Sequence, residues 1–224
     1  SGGRDCYPLR PARPVKASGG ANGRVPCGAK PASLAAAMTI SSRGRAAVPM
    51  TADDRYRRNM LYALLLVTVA RLWWLASGQT DLYPDEAQYW LWSLHPAFGY
   101  YSKPPLVAWL IALTTRGFGE SEFAIRLAAP LLHFATAVIV FELGRRLYDA
   151  RVGAWSAVAY GTLPGVSVSA VIMSTDAPLL FCWAVALYAF LRARETGQWR
   201  WWLLAGVGAG FGLLAKYAMV YWLG

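Results

Sequence analysis

Two adjacent carboxylates, Asp85 and Glu86, close the stretch Asp81-Leu82-Tyr83-Pro84-Asp85-Glu86. A lysine, Lys103, follows about eighteen residues later in Tyr100-Tyr101-Ser102-Lys103-Pro104-Pro105. A carboxylate can take the proton of a hydroxyl as that hydroxyl attacks, and an ammonium can offset the charge of an anion held beside it. The pattern therefore reads as acid/base chemistry next to an anion site. Asp176, in Ser174-Thr175-Asp176-Ala177-Pro178, is a third acid of the same kind, and Arg126 and Lys216 are cations near the ends of apolar runs. Ionisable groups beside hydrocarbon are costly and usually have a task. Each also has a plainer reading. Asp85, Glu86 and Asp176 suit the start of a following helix, and Lys103, Arg126 and Lys216 can reach polar headgroups along their apolar stems.

The elements that must hold these groups are membrane helices. The chain of 224 residues is 56% hydrophobic and 15% charged, with eleven Trp and twelve Tyr, more apolar and less charged than soluble domains. Several apolar runs reach the roughly 20 residues that cross a bilayer. The fold class expected is all-α, a polytopic transmembrane protein. Its net charge of +10 is concentrated in residues 1–58, which carry eleven Lys/Arg against three Asp/Glu. A basic segment beside a first span follows the positive-inside rule and removes the reason to read nucleic-acid binding. Cys6, Cys27 and Cys182 have neither metal-site nor disulfide-framework spacing. His95 and His133 are too scattered for a histidine metal site. No metal is assigned, although the carboxylates could hold a divalent ion.

About five spans are expected. Residues 1–50 are rich in Gly, Pro, Ala, Ser and Arg without hydrophobic periodicity, and a disordered tail running to residue 58 is expected. The membrane domain then covers 59–224. Its first span is Asn59 to Ser77, preceded by Asp53-Asp54-Arg55-Tyr56-Arg57-Arg58 and ending near Trp73 and Trp74. The first external loop follows, Asp81 to Lys103, with Glu86 to Ser93 as an interfacial helix. Pro104 to Arg116 is apolar but too short to cross. The second span is Phe123 to Leu143, closed by Arg145, Arg146 and Arg151. The third is Val152 to Met173, with Gly161 and Pro164 inside it, and the fourth is Leu179 to Leu191. The fifth starts at Trp201 and carries Gly206, Gly208, Gly210 and Gly212, small residues of the kind that let helices approach. Arg clusters mark the cytoplasmic ends, which leaves Asp85, Glu86, Lys103 and Asp176 outside. The chain stops at Gly224 in an apolar run with no polar flank, as expected of the N-terminal part of a longer protein.

Five motifs occur in order: Asp85-Glu86-Ala87-Gln88-Tyr89-Trp90, Gly99 to Leu106, Ser121 to Leu127, Ser174 to Phe181 and Leu213 to Tyr217. On these the chain resembles the protein O-mannosyltransferase and aminoarabinose transferase group, the family 39-like glycosyltransferases of the GT-C fold, over about residues 59–224. The resemblance implies an integral protein of the cell (inner) membrane that transfers sugar from a polyprenyl-phosphate donor, on the non-cytoplasmic face, to a hydroxyl of a protein or glycolipid. It implies Asp85 as general base with Glu86 beside it, and Asp176 as a further acid of the cavity. Lys103 would contact the lipid phosphate, joined by Tyr101, Arg126 and Lys216. Family members are much longer, with further spans. A lipid-phosphate donor needs no nucleotide pocket, and no Gly-rich phosphate loop follows a strand pattern. The competing class is a transporter or flippase of lipid-linked sugars, which would more often show repeated halves.

The topology is open to test by cysteine labelling. Ser102→Cys should react with an impermeant thiol reagent added from the outside, and Ala150→Cys should not. Outside labelling of Ala150→Cys would overturn the scheme.

Overall fold

The computed structural model describes residues 51–78 and 81–222, and their regular structure is helical throughout. The expected disorder of residues 1–50 lies outside the described residues. α1 (Ala52–Ala76) starts seven residues before the expected Asn59. Thr51 explains the earlier start. Its hydroxyl accepts from Asp54 N at 3.2 Å while the Asp54 carboxylate accepts from Thr51 N at 3.2 Å, a reciprocal cap that satisfies two amides at the helix start. Residues 52–58 are thus the first turns of α1 rather than the end of a tail.

α2 (Pro84–Ser93) and α3 (Leu106–Phe118) follow. α3 has 13 residues, about 20 Å at 1.5 Å per residue, short of the roughly 30 Å hydrocarbon core. α4 (Glu122–Arg126) and α5 (Ala128–Leu147) together form a run of 26 residues. The expected third span is not one helix. α6 (Ala150–Thr162) ends at Leu163, whose backbone is extended, and α7 (Pro164–Ser169) restarts at Pro164. Pro164 has no N–H and cannot continue the ladder. The guanidinium of Arg71 in α1 donates to the Gly161 carbonyl at 2.7 Å and to the Ser167 hydroxyl at 3.1 Å. One side chain so bridges the break and satisfies a carbonyl next to it, as broken membrane helices require. α8 (Asp176–Thr196) is longer than expected, and α9 (Trp199–Ala215) stops at Lys216, whose backbone is extended, before a 3₁₀ segment, Tyr217–Trp222. Three of the helices, Ala52–Ala76, Glu122–Leu147 and Asp176–Thr196, are long and apolar enough to cross a membrane unaided. The α6–α7 pair and α9 pack alongside them.

The helix directions give the bundle two unlike ends. At one, α1 and α7 finish and α5 and α8 begin, and there Asp81 to Glu86, Arg126, Met173, Asp176 and Lys216 meet. At the other, Arg145 pairs with Glu142, and Arg146 and Arg192 share Glu195. Tyr89, Val107, Ile111, Ile125, Ala129 and Met173 form the buried cluster beneath the first end. Near the second end α5 and α6 touch through glycine. A Cβ on Gly153 would lie 2.6 Å from the Phe141 carbonyl oxygen and 2.8 Å from Arg145 N. In α9, Gly208 meets the backbone of Ala186 and Gly212 meets Met219, while Gly206 and Gly210 face open space among the described residues. The alternation follows from the helical period, which puts residues four apart on one face.

Gly153→Ala should therefore destabilise the protein by about 1–3 kcal/mol, the usual cost of overpacking against atoms that cannot move, and Gly206→Ala should be near neutral. Thermal unfolding in detergent measures both. Equal melting temperatures for the two variants would remove the close α5–α6 crossing.

Candidate active site

Glu86 is completely buried and Arg126 nearly so. Glu86 Oε1 accepts from Arg126 Nε at 2.9 Å and from Met173 N at 2.7 Å. Glu86 Oε2 accepts from Arg126 Nη2 at 2.7 Å and from Tyr83 N at 3.1 Å. Arg126 Nη2 also donates to the Asp81 carbonyl at 2.9 Å. Each carboxylate oxygen has about two acceptor positions, and all are used by the protein. Glu86 was expected beside the base at the chemistry and Arg126 at the donor phosphate. The geometry gives both to the scaffold, because Glu86 has no lone pair left for a substrate proton and Arg126 grips Glu86 in a fork. The capping expectation divides in the same way. Glu86 takes the amide of Tyr83 at the start of α2, while Asp85 has no hydrogen-bond or ion-pair partner among the described residues.

Asp85 is one residue, about 100° around the helix, from Glu86, and it is exposed. It lines a cleft of about 330 Å³ with Tyr83, Pro84, Tyr89, Ile172, Met173 and Ser174, and the buried Glu86 forms part of the same wall. Tyr89 is 2% exposed. Burial first, and then the charges of Asp85 and Asp176, push its phenol above the ordinary range, while Lys216 works the other way. The first-loop acid, Asp176 and Lys216 therefore all lie within electrostatic reach of one buried tyrosine. Asp176 Oδ1 accepts from Lys216 Nζ at 2.7 Å, and both side chains are about half exposed. The extended backbone at Lys216 ends α9 where this contact is made. Asp176 also sits in the first turn of α8, so its helix-start reading holds beside the ion pair.

Lys103 is half-buried, and its ammonium makes no hydrogen bond or ion pair among the described residues. Its loop is held in place. The Tyr100 ring stacks on Trp92 with centroids 4.7 Å apart, its hydroxyl donates to the Trp92 carbonyl at 2.9 Å, and Trp109 Nε1 donates to the Ala97 carbonyl at 2.9 Å. Tyr101, expected at the donor phosphate, is fully exposed and touches none of the other candidates. Leu106, three residues past Lys103, and Pro178, two past Asp176, begin the walls of an apolar groove of about 220 Å³. Leu110, Leu132, Phe181 and Phe211 continue it between α3, α5, α8 and α9. Among the described residues no three His, Cys, Asp or Glu side chains converge to hold a metal ion. Tyr89 escaped the sequence reading as a site residue. Its signal was the i, i+4 spacing from Asp85, which puts both on one face of α2.

Three helices long and apolar enough to cross a membrane, with Asp85, Asp176 and Lys216 near one buried tyrosine at one end of the bundle, define an all-helical integral membrane protein. The profile of the family described as dolichyl-phosphate-mannose-protein mannosyltransferase matches residues 102–223, more than half of the chain, and the chain belongs to this family. It is 39% identical over 165 residues to lipid A galacturonosyltransferase RgtD of Rhizobium johnstonii, covering 73% of this chain and 35% of that protein. It is 26% identical over 184 residues to the undecaprenyl phosphate-alpha-4-amino-4-deoxy-L-arabinose arabinosyl transferase of Pseudomonas aeruginosa, covering 74% and 33%. Lipopolysaccharide core galacturonosyltransferase RgtA of R. johnstonii is 31% identical over 135 residues, covering 59% and 27%. The chain thus spans about a third of the length of the relatives it matches. No solved structure matches it.

Removing one partner of a buried ion pair typically costs about 3–5 kcal/mol, because the other charge is left uncompensated. Glu86→Gln and Arg126→Met should each lower the melting temperature of the full-length protein strongly, and Glu86→Gln with Arg126→Met should cost less than the sum. Additive losses would mean that the two side chains do not act as a pair.

Proposed function

We propose that the full-length protein is a glycosyltransferase of the cell (inner) membrane that moves a sugar from polyprenyl phosphate to a hydroxyl of a glycolipid on the non-cytoplasmic face. The observation that carries this reading is Asp85, a carboxylate with no hydrogen-bond or ion-pair partner among the described residues, in a cleft whose Tyr89 also feels the Asp176–Lys216 pair. Asp85 takes the proton of the acceptor hydroxyl as its oxygen bonds to the anomeric carbon. The lipid phosphate leaves with the electron pair of the broken C–O bond, and Lys103 and Lys216 offset the charge that grows on it. Asp176 holds Lys216 until the phosphate arrives. Tyr101, exposed on the same loop as Lys103, is a donor contact that forms when substrate binds. The apolar groove starting at Leu106 and Pro178 suits the isoprenoid chain. A carboxylate cleft that takes a divalent ion would draw ligands from beyond the described residues.

The acceptor was expected to be a protein or a lipid. Relatives named for lipid A and for the lipopolysaccharide core favour a glycolipid, and protein glycosylation has no such support. The face rests on charge. Arg145, Arg146, Arg151, Arg192 and Arg194 lie toward the end of the bundle away from Asp85, as the positive-inside rule has it for cytoplasmic ends.

Asp85→Asn separates catalysis from shape, since Asn keeps the side-chain outline and cannot accept the proton. With undecaprenyl-phosphate galacturonic acid or 4-amino-4-deoxy-arabinose as donor and lipid A as acceptor, turnover should fall roughly 10²-fold or more with donor KM near normal. Lys103→Ala should instead raise donor KM more than acceptor KM. Wild-type transfer by Asp85→Asn would remove Asp85 from the mechanism.

A further inference from the structure

Beneath the turn that leads to Asp176 runs a chain of hydrogen bonds that the reaction scheme does not use. His133, in the first part of α5, is 1% exposed. Its Nδ1 lies 2.8 Å from the Tyr160 hydroxyl in α6, and its Nε2 lies 3.1 Å from the Ser169 hydroxyl at the end of α7. Ser169 Oγ is 3.3 Å from Ser174 Oγ, and Ser174 Oγ accepts from the backbone N–H of Asp176 at 3.3 Å. A neutral imidazole donates from one nitrogen and accepts at the other. Tyr160, Ser169 and Ser174 are hydroxyls that can do either, so the chain can run in either direction.

The turn itself, residues 170–175, has no regular structure to fix it. Besides the backbone bonds from Ala170 and Val171 to α7, two side-chain anchors hold it: the Glu86 carboxylate on Met173 N, and the His133 chain through Ser174. The first anchor belongs to the buried ion pair. The second ends on the amide of Asp176, whose carboxylate makes the 2.7 Å contact with Lys216. Both ring nitrogens are paired, and the Nε2 partner leads toward the loop. An unpaired buried ring nitrogen would in turn be costly.

We infer that His133 is a positioning residue for Asp176, setting the turn 170–175 through Ser169 and Ser174 so that the Asp176–Lys216 pair stands over the donor-phosphate site. This rests on the proposed function for its catalytic readout, but not for its structural one. His133 touches no substrate. It acts through the placement of a carboxylate, and displacements of about an ångström at a reacting centre can cost up to 10²-fold.

The test uses the full-length protein with the donors and lipid A named above. Ser169→Ala, which cuts the chain with the least change of volume, and His133→Phe should each lower kcat about tenfold while donor KM stays within about twofold. His133→Gln, which retains a donor and an acceptor, should recover part of the loss. Ser169→Ala should cause no additional loss in an Asp176→Asn background, since the carboxylate it positions is already gone. Additive losses, or wild-type kcat in Ser169→Ala, would sink the inference. Hydrogen–deuterium exchange without substrate reads the same idea independently of activity. Exchange in 170–176 should rise in Ser169→Ala and stay unchanged in α2. Unchanged exchange in 170–176 would overturn the positioning role even if neither donor supports transfer. Faster exchange with no transfer by the wild-type protein would keep the positioning role and count only against the proposed reaction.

Discussion

The end of the bundle where Asp85 and Asp176 lie depends on one buried ion pair, Glu86 with Arg126. Taking both charges out of water costs several kcal/mol per ion, and mutual attraction offsets that only when geometry is good and the remaining hydrogen-bond positions are filled. Here they are filled: the Tyr83 and Met173 amides complete the carboxylate and the Asp81 carbonyl takes a guanidinium N–H. The result is a knot that ties the start of α2, the loop before it, α4 and the turn before α8 to one another. An apolar cluster of the same size would stabilise at least as well, but it would not fix direction. The knot sets which way the first turn of α2 faces, and thereby where Asp85 points.

Adjacency on a helix then divides the labour between two carboxylates of the same chemistry. A step of about 100° turns Glu86, buried at the cleft wall, onto Arg126 and leaves Asp85 exposed. The cations divide likewise. Arg126, planar and forked, suits the permanent pair. Lys216 and Asp176 are both about half exposed, and ion pairs of that kind contribute little to stability. Lys216 can therefore exchange its carboxylate for a phosphate at small cost, which a buried pair could not do.

Much of this was legible in the residues. The membrane character, the short α3 and the family resemblance all follow from apolar run lengths and motif order, whereas Gly161 and Pro164 were expected inside one span and the helix breaks there at Leu163. What escaped was set by tertiary partners. Nothing local to Glu86 tells it apart from Asp85, since the partner is 40 residues away on α4. Lys216 was expected within a continuing helix, because Leu213 to Tyr217 is apolar on both sides. The helix ends there instead, and the ammonium reaches Asp176. The seven extra residues of α1 were readable from Thr51 and Asp54 as a capping pair, but the charge run beside them spoke more strongly for a tail. Of the even glycines of α9, Gly208 and Gly212 have close neighbours among the described residues and Gly206 and Gly210 do not, as a period of 3.6 rather than 2 dictates.

The interruptions of regular structure share one location. α7 ends, the turn 170–175 runs, and α9 stops at Lys216, all at the end that holds Asp85. Irregular backbone at membrane depth survives only where it is buried in protein or lines a cavity, because each free amide or carbonyl needs a partner. The partners are visible: Arg71 for the Gly161 carbonyl at the α6–α7 break, Glu86 for the Met173 amide, Ser174 for the Asp176 amide. In each case a polar side chain that would be a liability in hydrocarbon is the remedy for a broken helix. The cost of placing charge and the cost of breaking backbone thus offset each other, and the place where they meet is where a polar, anion-handling cleft can exist inside an otherwise apolar bundle.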